Sequence, residues 1–214
     1  MKIALLHGLK ETEMGIFLNN EWKPEFGKLY VWFAIDKLGN IAMMVNNCWG
    51  DIPKAILSID NVEEKLETIE GYAWGDIAEY EDYSPKKNGS FYVDLYSYWR
   101  YSKFNSNHEL TNDFMRQFDE HGHSSEVNMV INKGLFVFHA VEGSYEGEDY
   151  PVGYDQKTKM GDYYRFLVPT KFASIEDFPI ELRRFIVVSD KVVFSKDKVL
   201  DNDRINEYFS KTYI

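Results

Sequence analysis

Residues 30–45 read YVWFAIDKLGNIAMMV, two apolar runs either side of Asp36-Lys37-Leu38-Gly39-Asn40. Both runs are rich in β-branched and aromatic residues, and Gly39 and Asn40 suit a backbone with positive φ. The stretch therefore predicts two strands joined by a tight turn. Consecutive apolar residues, rather than alternating ones, predict that both strands are buried on both faces. A sheet with covers on either side follows.

Working outward, Pro53 is placed to open a short helix over IPKAILS. Asp60-x-x-Glu63 has the form of a capping box. The apolar positions 62, 66, 69, 73, 77 and 80 recur at helical spacing beyond it. Gly71 and Gly75 predict a break in that helix, since glycine costs on the order of 1 kcal/mol relative to alanine in a helix interior. Segment 91–101, FYVDLYSYWRY, is read as helix. Leu110, Phe114 and Phe118 predict a second long helix over 107–120, stopped at His121-Gly122. LFVFHAV (135–141) reads as a central strand and YYRFLVP (163–169) as another. Ser174-x-x-Asp177 starts a helical segment, VVSDKVVFS (187–195) reads as a hairpin, and a terminal helix falls over 203–210. Hairpins mixed with helices in this order predict one α+β domain over 1–214, with a mainly antiparallel sheet flanked by helices.

Composition narrows the function. The formal charge is −11 over 214 residues, with one cysteine and an aromatic share of 16 %. Such acidity disfavours direct nucleic-acid binding, because phosphates must be neutralised by lysine and arginine. Nothing in the sequence has the length of a membrane span or the pattern of a secretory leader, and a lone cysteine leaves no intramolecular disulfide. These features favour a cytoplasmic chain, a monomer or weak dimer, without a cofactor.

The charge is concentrated. Between Asp60 and Tyr83 nine acids face one base, Lys65. On a helix Glu63, Glu67, Glu70 and Trp74 share a stripe, followed by Glu79, Glu81 and Asp82. A second run, 141–155, carries five acids and no base, among them Glu146, Glu148 and Asp149. A charge run is most often a solvated face. Here it is interleaved with aromatics, and aromatic anchors inside a charged field are the composition of a protein-binding surface. Trp74 and nine acids, Glu63, Glu67, Glu70, Glu79, Glu81, Asp82, Glu146, Glu148 and Asp149, are the candidate contacts: a basic protein is the partner that this surface suits.

Other chemistry is weakly marked. His121-x-His123 with His108 lacks the spacing of a familiar zinc motif, and His121 suits a helix C-terminus instead. Cys48, in NNCWGD, has no adjacent cation or histidine to lower its pKa. His139 reads as a hydrogen-bonded core histidine. No phosphate loop is present. An enzyme built from residues scattered along the chain remains the alternative: a small cytosolic hydrolase-like protein with a pocket of Tyr, Trp, His and carboxylates.

Two segments carry a family resemblance. Trp32-Phe33-Ala34-Ile35-Asp36, Gly39-Asn40-Ile41-Ala42 and Gly50-Asp51-Ile52-Pro53 form the first. Pro169-Thr170-Lys171, Asp177-Phe178-Pro179 and Leu182 form the second. Together they resemble the immunity proteins of bacterial polymorphic toxin and contact-dependent growth inhibition systems. The resemblance implies a non-catalytic cytoplasmic protein that neutralises a cognate toxin domain by stoichiometric binding. Many such toxins are nucleases with basic clefts. The matching residues are scaffold, and 60–160 matches nothing in that family.

Overall fold

The computed structural model describes residues 18–83, 86–122 and 125–214. Strands β1 (Val31–Ile35) and β2 (Ile41–Val45) pair antiparallel, with Val31 opposite Val45 and Ile35 opposite Ile41. Gly39 takes the positive φ of the connecting turn, at 85°, whereas Asn40 does not need one. The turn is tied by Asp36, a buried carboxylate. Its Oδ1 accepts from the amides of Leu38 and Asn40, both at 2.9 Å, and its Oδ2 accepts from the amide of Phe194 at 2.9 Å.

Around this hairpin grows one sheet. The further strands are β3 (Phe91–Val93), β5 (Phe136–Ala140), β7 (Tyr163–Pro169), β8 (Ile186–Val188), β9 (Val199–Leu200) and β10 (Lys211–Thr212). The eight described strands run in the order β10-β8-β1-β2-β5-β7-β3, with β9 added on β7. Among the described strands only β1–β8 and β2–β5 are parallel pairs, so the sheet is mainly antiparallel. A separate two-stranded ribbon joins β4 (Tyr96–Ser97) to β6 (Pro151–Val152).

Both faces of the sheet are covered, which is why its strands lack alternation. Phe33, Met43, Val137 and Phe166 point to one core. There they meet Ile69, Tyr72 and Ala73 of α2 (Val62–Trp74), Leu110 and Phe114 of α4 (Asn107–His121) and Met129 of α5 (Val127–Ile131). Trp32, Ala34, Met44 and Phe138 point the other way, towards Trp22, Ile56 of α1 (Lys54–Leu57), Phe194 and Phe209. Trp32 Nε1 donates to the Tyr163 hydroxyl at 3.0 Å, which in turn donates to the Asp51 carbonyl at 3.0 Å. The remaining helices, α3 (Tyr98–Tyr101), α6 (Ile180–Arg183) and α7 (Ile205–Tyr208), are single turns.

Three local expectations are corrected. The Asp60-x-x-Glu63 capping box does not form. The chain enters α2 through Asn61 at φ 55°, no side chain caps the helix, and the Glu63 carboxylate is taken by the Tyr30 hydroxyl at 2.9 Å. Segment 91–101 is β3, β4 and only then the single turn α3. Phe91, Val93 and Leu95 point inward while Tyr92 is exposed, a period of two that β7 completes by pairing Tyr92 with Val168. The hairpin expected over 187–195 is absent. β8 instead pairs with β1 and β10, and the amides beyond it are satisfied by side chains: Val192 by Ser189 Oγ at 3.0 Å and Val193 by Asp197 Oδ2 at 2.7 Å. The break foreseen in the acidic helix does occur, at Gly75, which adopts φ 80° as its C-cap. Gly71 is carried within the helix.

Candidate interaction surfaces

The first acidic stretch folds as α2 and a 3-10 turn over Ala78–Tyr83. Val62, Leu66, Ile69 and Ala73 are buried, which leaves Glu64 and Glu67 on the solvent side and Glu63 and Glu70 at its margin. Asp76 and Glu79 continue the exposed row. Glu81 and Asp82 lie on the backbone of the 3-10 turn, with side chains outside the described residues. Among the described residues, Lys65–Glu64 at 2.8 Å is the one ion pair within this helix.

Neighbouring groups register the accumulated charge. The Tyr30 phenol is pushed up by burial, by its hydrogen bond to Glu63 and by the charges of Glu63, Glu25 and Glu67. Burial raises the Glu70 carboxyl, a bond from Trp74 opposes that, and Glu67 and Asp76 add to it. Burial, Glu79 and Glu181 do the same to Tyr80. The carboxylates close enough to raise these three groups are Glu25, Glu63, Glu67, Asp76, Glu79 and Glu181.

Trp74, the expected aromatic anchor, is only partly open to a partner. It is half-buried against the core that α2 covers, with Nε1 3.4 Å from Glu70 Oε1. The exposed aromatic close to this field is Phe26, 86 % accessible, in the loop that leads to Tyr30. Leu29, beside Tyr30, is exposed as well. Neither stood out in the sequence, because isolated apolar residues in a loop have no periodicity to betray them.

The second acidic run is more structured than its composition suggested. Glu146 is exposed, and Glu148 is half-buried, its carboxylate turned back onto the Ser144 amide. Asp149 is only 2 % accessible. Its Oδ1 accepts from Ser97 Oγ at 2.9 Å and from the Trp99 amide at 3.0 Å, which fastens the loop to the start of α3. This removes Asp149 from the open acidic surface on which the sequence placed it. Tyr98 and Tyr150 then stack at 4.8 Å with ring planes 12° apart, both exposed, beside exposed Trp99.

A third constellation had no local signature. Arg100 of α3 donates to Glu142 Oε2 at 2.9 Å and also pairs through Nε with Oε1. His139 on β5 has Nε2 3.1 Å from Glu126 Oε1, giving the buried histidine the hydrogen-bonded partner expected. Burial pushes the Glu126 carboxyl up, but the charge of His139, its hydrogen bond and Arg100 outweigh that and hold it below the usual range. Tyr164 is raised well above a normal phenol by burial and then by the charge of Asp149. His139 Nδ1, Asp149 Oδ2 and the Tyr164 hydroxyl are buried without a hydrogen-bond partner. His139 and Glu142 are near neighbours in the chain, but Arg100, Asp149 and Tyr164 come from separate segments that the fold brings to them.

Among the described residues, no group of three His, Cys, Asp or Glu could hold a metal ion. His121 is exposed in the last turn of α4, His108 bonds with Asn112 at 3.1 Å, and His123 lies outside the described residues. Cys48 is half-buried at φ 70°, its amide bonded to Asn46 Oδ1 at 3.3 Å. No helix of the described residues is long and apolar enough to cross a membrane. Comparison with protein-family models, with curated proteins and with solved structures returns no match to this chain.

Proposed function

We propose that this chain is an immunity protein that binds a basic toxin domain one to one and thereby blocks it. The observation that supports this reading best is the group of carboxylates on and around α2, in which Lys65–Glu64 is the one ion pair among the described residues. Unpaired surface acids of one sign accelerate encounter with a basic partner and exclude acidic ones. Inhibition then needs no catalytic group in this chain, only occlusion of the toxin's working surface. A toxin that acts on nucleic acid would offer the matching basic cleft.

The test is co-expression with a toxin domain encoded beside this gene. Cells should survive with the intact protein and lose that protection with the double variant Glu67→Lys/Glu79→Lys at unchanged protein level. Death in both cases would reject the proposal, and survival in both would move the contact away from α2.

The Glu126–His139 pair beside Arg100, Glu142 and Tyr164 favours a second reading, a small hydrolase-like enzyme. Its carboxylate-held histidine and unpartnered hydroxyl are groups that general acid–base catalysis employs. The two readings part on His139→Gln: an immunity protein retains protection, whereas an enzyme loses its turnover.

A further inference from the structure

Lys133 lies in the short link between α5 and β5, its Nζ 5.6 Å from the centre of the Tyr72 ring. Tyr72, Ala73, Leu135 and Phe178 line the small pocket beside it, so the side chain is partly buried against largely apolar surface. A lysine so placed is usually matched by a carboxylate. Asp177 borders the same pocket but is already engaged. Lys87 Nζ lies 2.7 Å from its Oδ2, and the Ser174 amide donates to that oxygen at 2.8 Å. The charge that acts most on Lys133 is another cation, Lys86, and burial first, then Lys86, lower its pKa from the ordinary lysine value.

Further cations gather at this place. The Lys87 amide donates to the Asn132 carbonyl at 2.8 Å, and Lys171 Nζ donates to the Lys87 carbonyl at 3.0 Å. Lysines from the segments before β3, before β5 and after β7 are thus brought together, in a chain whose formal charge is −11.

We propose that Lys133 is an acylation site that reacts directly with acyl phosphates. Its free amine attacks the carbonyl carbon of the donor. A C–N bond forms and the C–O bond to phosphate breaks. The phosphate leaves with the bonding pair and takes up the proton that the nitrogen sheds. Two features select this chemistry. A partly buried amine beside a second cation holds its proton less firmly, so more of it is nucleophilic at neutral pH. Lys86 and Lys171 are exposed, and their charges attract the dianionic end of the donor to the amine. The amide product is uncharged, which relieves both the repulsion from Lys86 and the cost of a partly buried cation. It also removes a positive charge from above Tyr72, a residue of α2, and leaves that side of the molecule more negative. This reaction is independent of whether the chain binds a toxin.

The test uses the intact protein, acetyl phosphate at neutral pH and peptide mass spectrometry at low conversion. Lys133 should acetylate several-fold faster than Lys37 and Lys196, which are exposed lysines elsewhere on the chain. Inorganic phosphate should slow the reaction at Lys133, whereas acetylation of the same residue by the neutral ester p-nitrophenyl acetate should not respond to it. Lys86→Gln alters an exposed side chain and leaves Lys133 in place. It should slow acetyl phosphate more than the ester, because the phosphate donor loses its attraction as well as the repulsion that frees the amine. A rate at Lys133 no greater than at Lys37 overturns the proposal. So does a Lys86→Gln variant that slows both donors alike, or a reaction with acetyl phosphate that inorganic phosphate leaves unchanged.

Discussion

At Gly50 a single missing methyl group decides whether the buried Tyr163 ring fits. A Cβ there would lie 2.5 Å from the Tyr163 ring. That ring cannot swing aside, because its hydroxyl is fixed between Trp32 Nε1 and the Asp51 carbonyl. Gly50→Ala should therefore destabilise the fold by about 1–3 kcal/mol, the range of overpacked cores, measured by urea unfolding. Glu70 acts in the opposite direction. Burial first, then Glu67 and Asp76, raise its folded pKa against the opposing bond from Trp74. The ionised form is therefore less favourable in the folded chain than in the unfolded one. At pH above the folded pKa that penalty is present, and it disappears as pH falls through that value and the group protonates. Glu70→Gln keeps the acceptor for Trp74 and removes the charge. It should raise Tm slightly at neutral pH, on the order of 1 °C, with the gain shrinking to nothing in acid. A gain that grew in acid would mean the shift has the other sign.

On the scale of one element, α2 separates stability from recognition. Its inner side carries the core, and Trp74 belongs to that side. Trp74→Ala should cost about 2 kcal/mol, less than a fully buried tryptophan, and lower Tm by about 4–8 °C. Phe26→Ser should leave Tm within about 1 °C, because an exposed side chain makes few contacts to lose. If Phe26 is an anchor for the toxin, the same change should speed dissociation without altering its salt dependence. Thermal melts and surface-plasmon traces on the two variants read both effects. A stable Trp74→Ala variant with fast dissociation would restore Trp74 to the interface.

The whole molecule has a charge of −11, and the long-range field is the property that belongs to this scale. Reversal of Glu67 and Glu79 to lysine should leave the fold intact, since exposed charges contribute little to stability. Association with a basic toxin domain should slow by about one to three decades at low salt, and the difference should narrow as salt screens the field. Stopped-flow association at several ionic strengths measures this. A rate that responds equally at high salt would point to lost contacts instead of lost steering.

What was legible in the sequence was what local physics fixes. The turn at Gly39, the two-sided burial of β1 and β2, the helical stripe of α4 and the stop at Gly75 all follow from residues within a few positions of one another. So does the α+β class, and so does the concentration of acids between 60 and 83. Segment 91–101 was misread although its alternation was present, because three residues of strand followed by one turn of helix are too short for either period to prevail. The cap of α2 was misread because Tyr30, far upstream, claims Glu63. Asp149 looked like a surface acid until Ser97 and Trp99 were placed against it, and how far Trp74 is covered was decided by the core that it packs against. The meeting of Arg100, Glu126, His139, Glu142 and Tyr164 was invisible for the same reason. Their proximity is set by which strands lie side by side, and that order comes from the packing of two cores on one sheet, a long-range balance that no short stretch of chain encodes.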